Sequence, residues 1–294
     1  MRPKRSSRTV LFAALAAILS AAPALAAEPE ATLVAAVPPE ATLDPADALS
    51  GEAIYDLVLS NRFDSFDQSL EMISGDRGGN IETVKMEVKY KDFREESKKI
   101  ASKSIALYQA PPDVRYMGYL VVNKKKGTND QFVYRPSARR VSRVNLRGES
   151  IVGTDFSLED ILPRELDDAT YTRLSDEVKS EREVYVVEVR PNEESDSEYS
   201  KFVAYVDKES HVTLLNLYWD RRGVPFKQLT AVVDSITRYD GDAGKGTKTV
   251  WVAKESRVDN TRLESYTTLE IKRLVANPKL GSRHFTERKL AQGH

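Results

Sequence analysis

The sequence predicts an α+β protein built on one long antiparallel β-sheet that curls, with short helices on its concave face. Three observations point there. Beyond residue 60 the chain falls into successive apolar runs, several of which alternate apolar and polar side chains with a period of two. The segments between most of these runs are short and rich in polar, Gly or Pro residues, whereas a parallel crossover needs roughly a dozen residues, usually a helix. No repeat emerges on a period of about 20–50 residues, which argues against a solenoid or propeller. A sheet of about ten or eleven strands tends to curl, and helices can cover its hollow side.

The first element is a helix. Ser50 is placed to cap it, Ala53–Leu59 carries apolar residues at helical spacing, and the pattern stops near Asn61. Strands follow. Leu70–Ile73 leads into the turn-rich Gly75–Asn80, after which Val84, Met86, Val88 and Tyr90 alternate with Thr83, Lys85, Glu87 and Lys89, which makes a hairpin. Further strands are expected at Lys99–Tyr108, Arg115–Asn123, Gln131–Arg135 and Arg140–Leu146. Ser157–Asp168 interrupts them with helical character, Ser157 as the cap and Glu159 and Asp160 in the first turn. The strand series resumes at Glu183–Arg190, Lys201–Val206, Val212–Trp219, Phe226–Ile236, Thr249–Arg257 and Ser265–Leu274.

Three segments are expected along the chain. Residues 1–26 read as a secretory signal: Arg2, Lys4, Arg5 and Arg8, an apolar run from Val10 to Leu19, then small residues ending at Ala26. The apolar run is too short to span a bilayer, which takes about 20 residues. Residues 27–49, with Pro29, Pro38, Pro39 and Pro45, read as a flexible Pro/Ala-rich linker, and residues 50–294 as the folded domain. The whole chain holds 44 basic and 45 acidic side chains; losing the signal leaves 40 against 45, an exported and mildly acidic protein with no stable membrane anchor. That charge argues against nucleic-acid binding, which needs surplus Lys and Arg to displace phosphate counterions. Lys124, Lys125 and Lys126 read as a solvated turn.

The chemistry available is limited. No cysteine occurs, which excludes disulfides, thiolate metal sites, thiol nucleophiles and lipidation at an N-terminal cysteine. Only His211, His284 and His294 could serve as imidazole bases or ligands, and all three sit at turns or near the end of the chain. Gly241–Thr247 has a phosphate-loop look but the wrong order of residues, and reads as a hairpin loop. No catalytic residue, metal or cofactor is therefore expected. What remains is apolar surface. Phe132 and Tyr134 share one strand face, Leu217 and Trp219 another, and Trp251 lies on a third strand; these are the candidate cavity residues, and the same residue types also build ordinary cores.

The segment Phe132–Arg143 reads F-V-Y-R-P-S-A-R-R-V-S-R, and Val152–Ile161 reads V-G-T-D-F-S-L-E-D-I. Together they resemble the W-x-Y-x-P-x-x-R-R-V-R-R and G-S-D-F-S-Y-E-D-L signatures of the LolA-like outer-membrane lipoprotein-sorting proteins. Tyr218–Gly223 followed by Lys227 resembles that family's Y-Y-D-x-x-G…K hairpin, and Thr261–Ile271 its penultimate strand. Phe132 stands where the family has Trp, Thr154 where it has Ser, and Leu158 where it has Tyr. The resemblance implies a half-open barrel over a hydrophobic cavity and a periplasmic carrier that takes lipoprotein acyl chains or lipid toward the outer membrane. It also implies an inner-membrane RND-type transporter as partner. The alternative is an accessory subunit of such an exporter, using the half-barrel as a protein-docking surface. Arg139, Arg140, Asp155, Phe156 and Asp160 fall on the signature positions. Arg–carboxylate pairing is expected there, either to pin the loop and helix to the sheet or to latch a helical lid.

Overall fold

The computed structural model describes residues 49–127, 129–145, 150–161, 164–193, 197–242 and 247–292. The expected signal, the linker up to residue 48, His294 and the loop tip 243–246 lie outside them. Helix α1 (Gly51–Ser60) starts as its sequence dictates, the Ser50 hydroxyl accepting from the Ala53 N–H at 3.1 Å, and ends on Asn61. It buries Ile54 and Tyr55.

The first half of the sheet is a meander of β1 (Ser65–Asp76), β2 (Ile81–Asp92), β3 (Ile100–Ala110), β4 (Gly118–Lys124), β5 (Asp130–Arg135) and β6 (Arg140–Arg143). A four-residue helix, α2 (Leu158–Ile161), and a 3-10 turn at Leu166–Asp168 follow. Then come β7 (Ala169–Lys179), β8 (Arg182–Pro191), β9 (Tyr199–Asp207), β10 (Thr213–Asp220) and β11 (Pro225–Ala231). A separate two-stranded ribbon, β12 (Ile236–Asp242) with β13 (Thr247–Ala253), precedes β14 (Glu255–Asn260), β15 (Ser265–Ala276) and the C-terminal helix α3 (Glu287–Gln292).

Thirteen strands form one open antiparallel sheet in the order β6-β5-β4-β3-β2-β1-β15-β14-β11-β10-β9-β8-β7. The chain closes the middle of the sheet by pairing its last strand with its first, Met72 opposite Leu269. This is the expected α+β class and curved half-open barrel. Fifteen strands occur among the described residues, against the twelve runs read from the sequence, for three reasons. β7 was not foreseen, because an edge strand with a register shift between Leu174 and Glu177 breaks the alternation. β12 was not foreseen either. The run Thr249–Arg257 is two strands, one in the ribbon and one in the sheet, broken at Lys254.

Strand register shows that a single face runs across the whole sheet. Directly opposed residues share a face, and the pairs Val133–Tyr119, Ala106–Val88, Met86–Leu70 and Met72–Leu269 carry it through the first half. Thr267–Val258, Val258–Leu229, Asn216–Ala204 and Ala204–Val187 carry it onward. Two of the four hydrophobic clusters lie on this inner face, under the segment 150–161 and under α1 respectively. The opposite face of β3–β6 is covered by the C-terminal segment, where Leu280, Phe285 and Leu290 are buried.

Candidate functional site

Residues 155–161, with Arg164, tie the inner face together. Asp155 is buried and accepts from the hydroxyls of Ser265 at 2.6 Å and Thr267 at 2.9 Å, fixing the loop to β15. Phe156 and Leu158 enter the apolar cluster beneath. Asp160 reaches back to accept from the Ser157 backbone N–H at 2.7 Å, one half of a capping box at the start of α2. The same carboxylate accepts from the Tyr199 hydroxyl at 2.7 Å and from the Lys227 ammonium at 2.8 Å, so α2 is held to β9 and β11 at once. Glu159 accepts from Ser197 and the Glu198 N–H and pairs with Arg164 at 2.9 Å.

The Lys227–Asp160 pair is out of contact with water, the side chains 3 % and 0 % exposed. The ammonium lies 4.8 Å from the ring centre of Tyr199 and 5.2 Å from that of Tyr218. Burial, and then the Asp160 charge, push the Tyr199 and Tyr218 phenols well above their ordinary value, so both remain neutral and Tyr199 keeps the proton it donates to Asp160. The Glu198 carboxylate lies 3.6 Å from the same ammonium, and the bonds to Asp160 fix one arrangement of helix and sheet. Arg164 stacks over Phe202 at 4.8 Å.

A second feature lies where β1 begins. Asn61, the cap of α1, donates to the Trp251 carbonyl at 3.0 Å and accepts from the Trp251 N–H at 2.8 Å, docking the ribbon on the helix end. Phe63 meets Tyr239 of the ribbon edge-on at 5.8 Å. Between helix end, ribbon and sheet lies a cavity of about 290 Å³, its walls formed chiefly by Val58, Phe63, Phe66, Trp251, Ala253 and Leu274. Arg62, Gln68 and His211 supply polar groups to it.

The structure sorts the residues singled out by sequence. Asp155, Phe156 and Asp160 come together on the inner face, and Trp251 lines the cavity. The expected Arg–carboxylate pairing is corrected. Arg139 and Arg140 are exposed at the β5–β6 turn, where Arg139 takes a left-handed φ of 49°. Asp155 and Asp160 take hydroxyl and lysine partners instead. Phe132 and Tyr134 do share a face, but it is the face opposite Val133, packed under the C-terminal segment. Leu217 and Trp219 likewise face away from Tyr218, into a cluster against which the ribbon residues Trp251 and Ala253 pack. Sequence reasoning met Lys227 only as the last residue of the hairpin signature and Asn61 only as the helix end, and passed over Tyr199 and Arg164. One signal was available: Lys227 stands at the same period-two position as Leu229 and Ala231, a lone charge on an apolar face.

Comparison with known proteins follows this geometry. A family model described as "Uncharacterized protein" matches residues 101–292, well over half of the chain. The chain belongs to that family. No curated protein matches it. Among solved structures it is similar to an outer membrane lipoprotein-sorting protein domain from Vibrio parahaemolyticus, with 23 % identity and a TM-score of 0.71 over 82 % of this chain and 98 % of that one. A DUF1329 family protein from Desulfovibrio piger gives 24 % identity and a TM-score of 0.69 over 82 % and 99 %. A LolA superfamily protein from Nitrosomonas europaea gives 16 % identity and a TM-score of 0.64 over 82 % and 100 %. The chain thus shares the fold of these three proteins, a LolA-like fold. Among the described residues no helix is long and apolar enough to cross a membrane.

Proposed function

We propose that the protein is a non-enzymatic periplasmic carrier that holds an acyl chain of a lipoprotein or lipid against the inner face of its half-barrel. The observation that supports this most is the apolar cavity of about 290 Å³ between the end of α1, the β12–β13 ribbon and β1. Its size is near the lower end of ligand pockets, which run from roughly 300 Å³ upward. The lipoprotein-sorting name belongs to the Vibrio parahaemolyticus domain, and the shared fold makes delivery toward the outer membrane the natural reading here. Export through a signal at residues 1–26 and a linker at 27–49 would free the domain to diffuse, with an inner-membrane RND-type transporter as donor.

A chain-length series tests the reading. Alkyl carboxylates of increasing length, titrated into the purified protein by calorimetry, should bind about fourfold more tightly per added methylene, from roughly 0.8 kcal/mol each. The gain should stop once the cavity is full. A flat series, or no binding at any length, would count against an acyl cargo.

A further inference from the structure

Antiparallel order places six hairpin turns side by side at one end of the sheet, the end away from the cavity: β6/β5, β4/β3, β2/β1, β15/β14, β11/β10 and β9/β8. The first five share a composition. Residues 136–139, 111–117, 77–80, 261–264 and 221–224 together hold six arginines (Arg139, Arg115, Arg77, Arg262, Arg221 and Arg222), no lysine, and only two carboxylates, Asp113 and Glu264. The chain as a whole holds 44 basic against 45 acidic residues, and 40 against 45 without the expected signal, so the arginines are concentrated here against an acidic background. At the other end of the sheet the basic turn residues are mostly lysines, as in Lys98, Lys99 and Lys124–Lys126.

Large apolar side chains stand exposed beside these arginines. Leu263 is 65 % exposed and Ile81 62 %, and Val224, Tyr116 and Val152 are exposed as well. Leu263, Ile81 and Val152 face one groove of about 880 Å³, whose lining also holds the carboxylates of Asp76, Glu82 and Asp155. The arginines make few ion pairs, although Arg221 donates twice to the Ser197 carbonyl, at 3.1 and 2.5 Å, and Arg262 lies over Phe226 at 4.4 Å. Arg77 meets Glu264 in open solvent, Arg222 and Arg262 share the single carboxylate of Asp220, and Arg115 lies over Tyr116 at 4.9 Å. Among the described residues Arg139 has no ion-pair partner. The sixth turn differs: its sequence, residues 192–198, is acidic and has no arginine, so it bounds the row.

We infer that this end of the half-barrel, from the β5–β6 turn to the β10–β11 turn, docks on an anionic phospholipid bilayer. Guanidinium forks match phosphate oxygens two at a time, which explains arginine in place of lysine. Exposed Leu, Ile, Val and Tyr beside them can enter the headgroup boundary while the charges stay at the phosphates. Ten strands separated by about 4.8 Å give a row some 43 Å long measured along the sheet, enough to meet many headgroups at once. The inference does not rest on the carrier reading, since a half-barrel with no cargo would dock by the same residues.

Vesicle sedimentation tests it, using the protein as its host exports it. The wild type should sediment with phosphatidylcholine vesicles containing roughly one-third phosphatidylglycerol, release as salt rises from about 0.05 to 0.5 M, and ignore pure phosphatidylcholine. The triple variant Arg77→Gln/Arg115→Gln/Arg222→Gln and the double variant Ile81→Ser/Leu263→Ser should each bind at least about tenfold more weakly with an unchanged melting temperature. The control Lys124→Gln/Lys125→Gln/Lys126→Gln, at the opposite end, should bind like the wild type. Loss of binding in the lysine variant alone would overturn the inference. So would failure of the wild type to bind vesicles, which would leave the turns to a protein partner.

Discussion

Lys227→Met is expected to remove about 3 kcal/mol of stability, read as a fall in the urea midpoint at unchanged slope. Breaking a buried pair by deleting one partner typically costs about 3–5 kcal/mol, because the remaining charge stays out of water. The lower figure applies here because Asp160 would keep the Ser157 N–H at 2.7 Å and the Tyr199 hydroxyl at 2.7 Å. The second variant isolates the cause. Asp160→Asn with Lys227→Met removes both charges of the close pair and keeps an acceptor for Ser157, so it should recover much of the loss, the remainder falling on Glu198, whose carboxylate lies 3.6 Å from the ammonium. If the double variant is as unstable as the sum of the singles, the pair is not coupled and the account of α2 as tied through Asp160 fails.

Val58→Trp is expected to weaken acyl-chain binding about a hundredfold while leaving the melting temperature within a few degrees of the wild type. Val58 lines the cavity and is only half-buried, so an indole there has room to enter the void without displacing Ile54 or Tyr55. Excluding three or four methylenes at about 0.8 kcal/mol each accounts for the size of the effect. Unchanged affinity in a folded Val58→Trp protein would place the cargo elsewhere on the sheet.

How much of this was legible follows from what each signal encodes. The α1 helix and the β1–β2 hairpin were readable because capping and period-two alternation are local, and Val84, Met86, Val88 and Tyr90 are all buried as their spacing implies. The division at Lys254 was not readable. No Gly or Pro separates Ala253 from Glu255, and only tertiary packing sends one strand to the ribbon and the other to the sheet. The inward face was also hidden. Phe132 with Tyr134, and Leu217 with Trp219, were correctly grouped, yet both faces of those strands are apolar and both are covered. Sequence alternation gives the pairing of side chains and leaves open which side the helices choose. The Arg139–Arg140 signature drew attention by its charge. Its position on the turn to the short edge strand β6, in a left-handed conformation, puts it in solvent and beside the other arginine-bearing turns.

The central claim is that the inner face carries lipid, and the most direct measurement is mass spectrometry of what the exported protein brings with it. Purified from its own host without detergent and extracted into organic solvent, the protein should yield about one equivalent of an acylated lipid or lipopeptide. The Val58→Trp variant purified in parallel should yield far less. Repeated recovery of an empty, folded wild-type protein, above all one that co-purifies with a transporter, would contradict the carrier account.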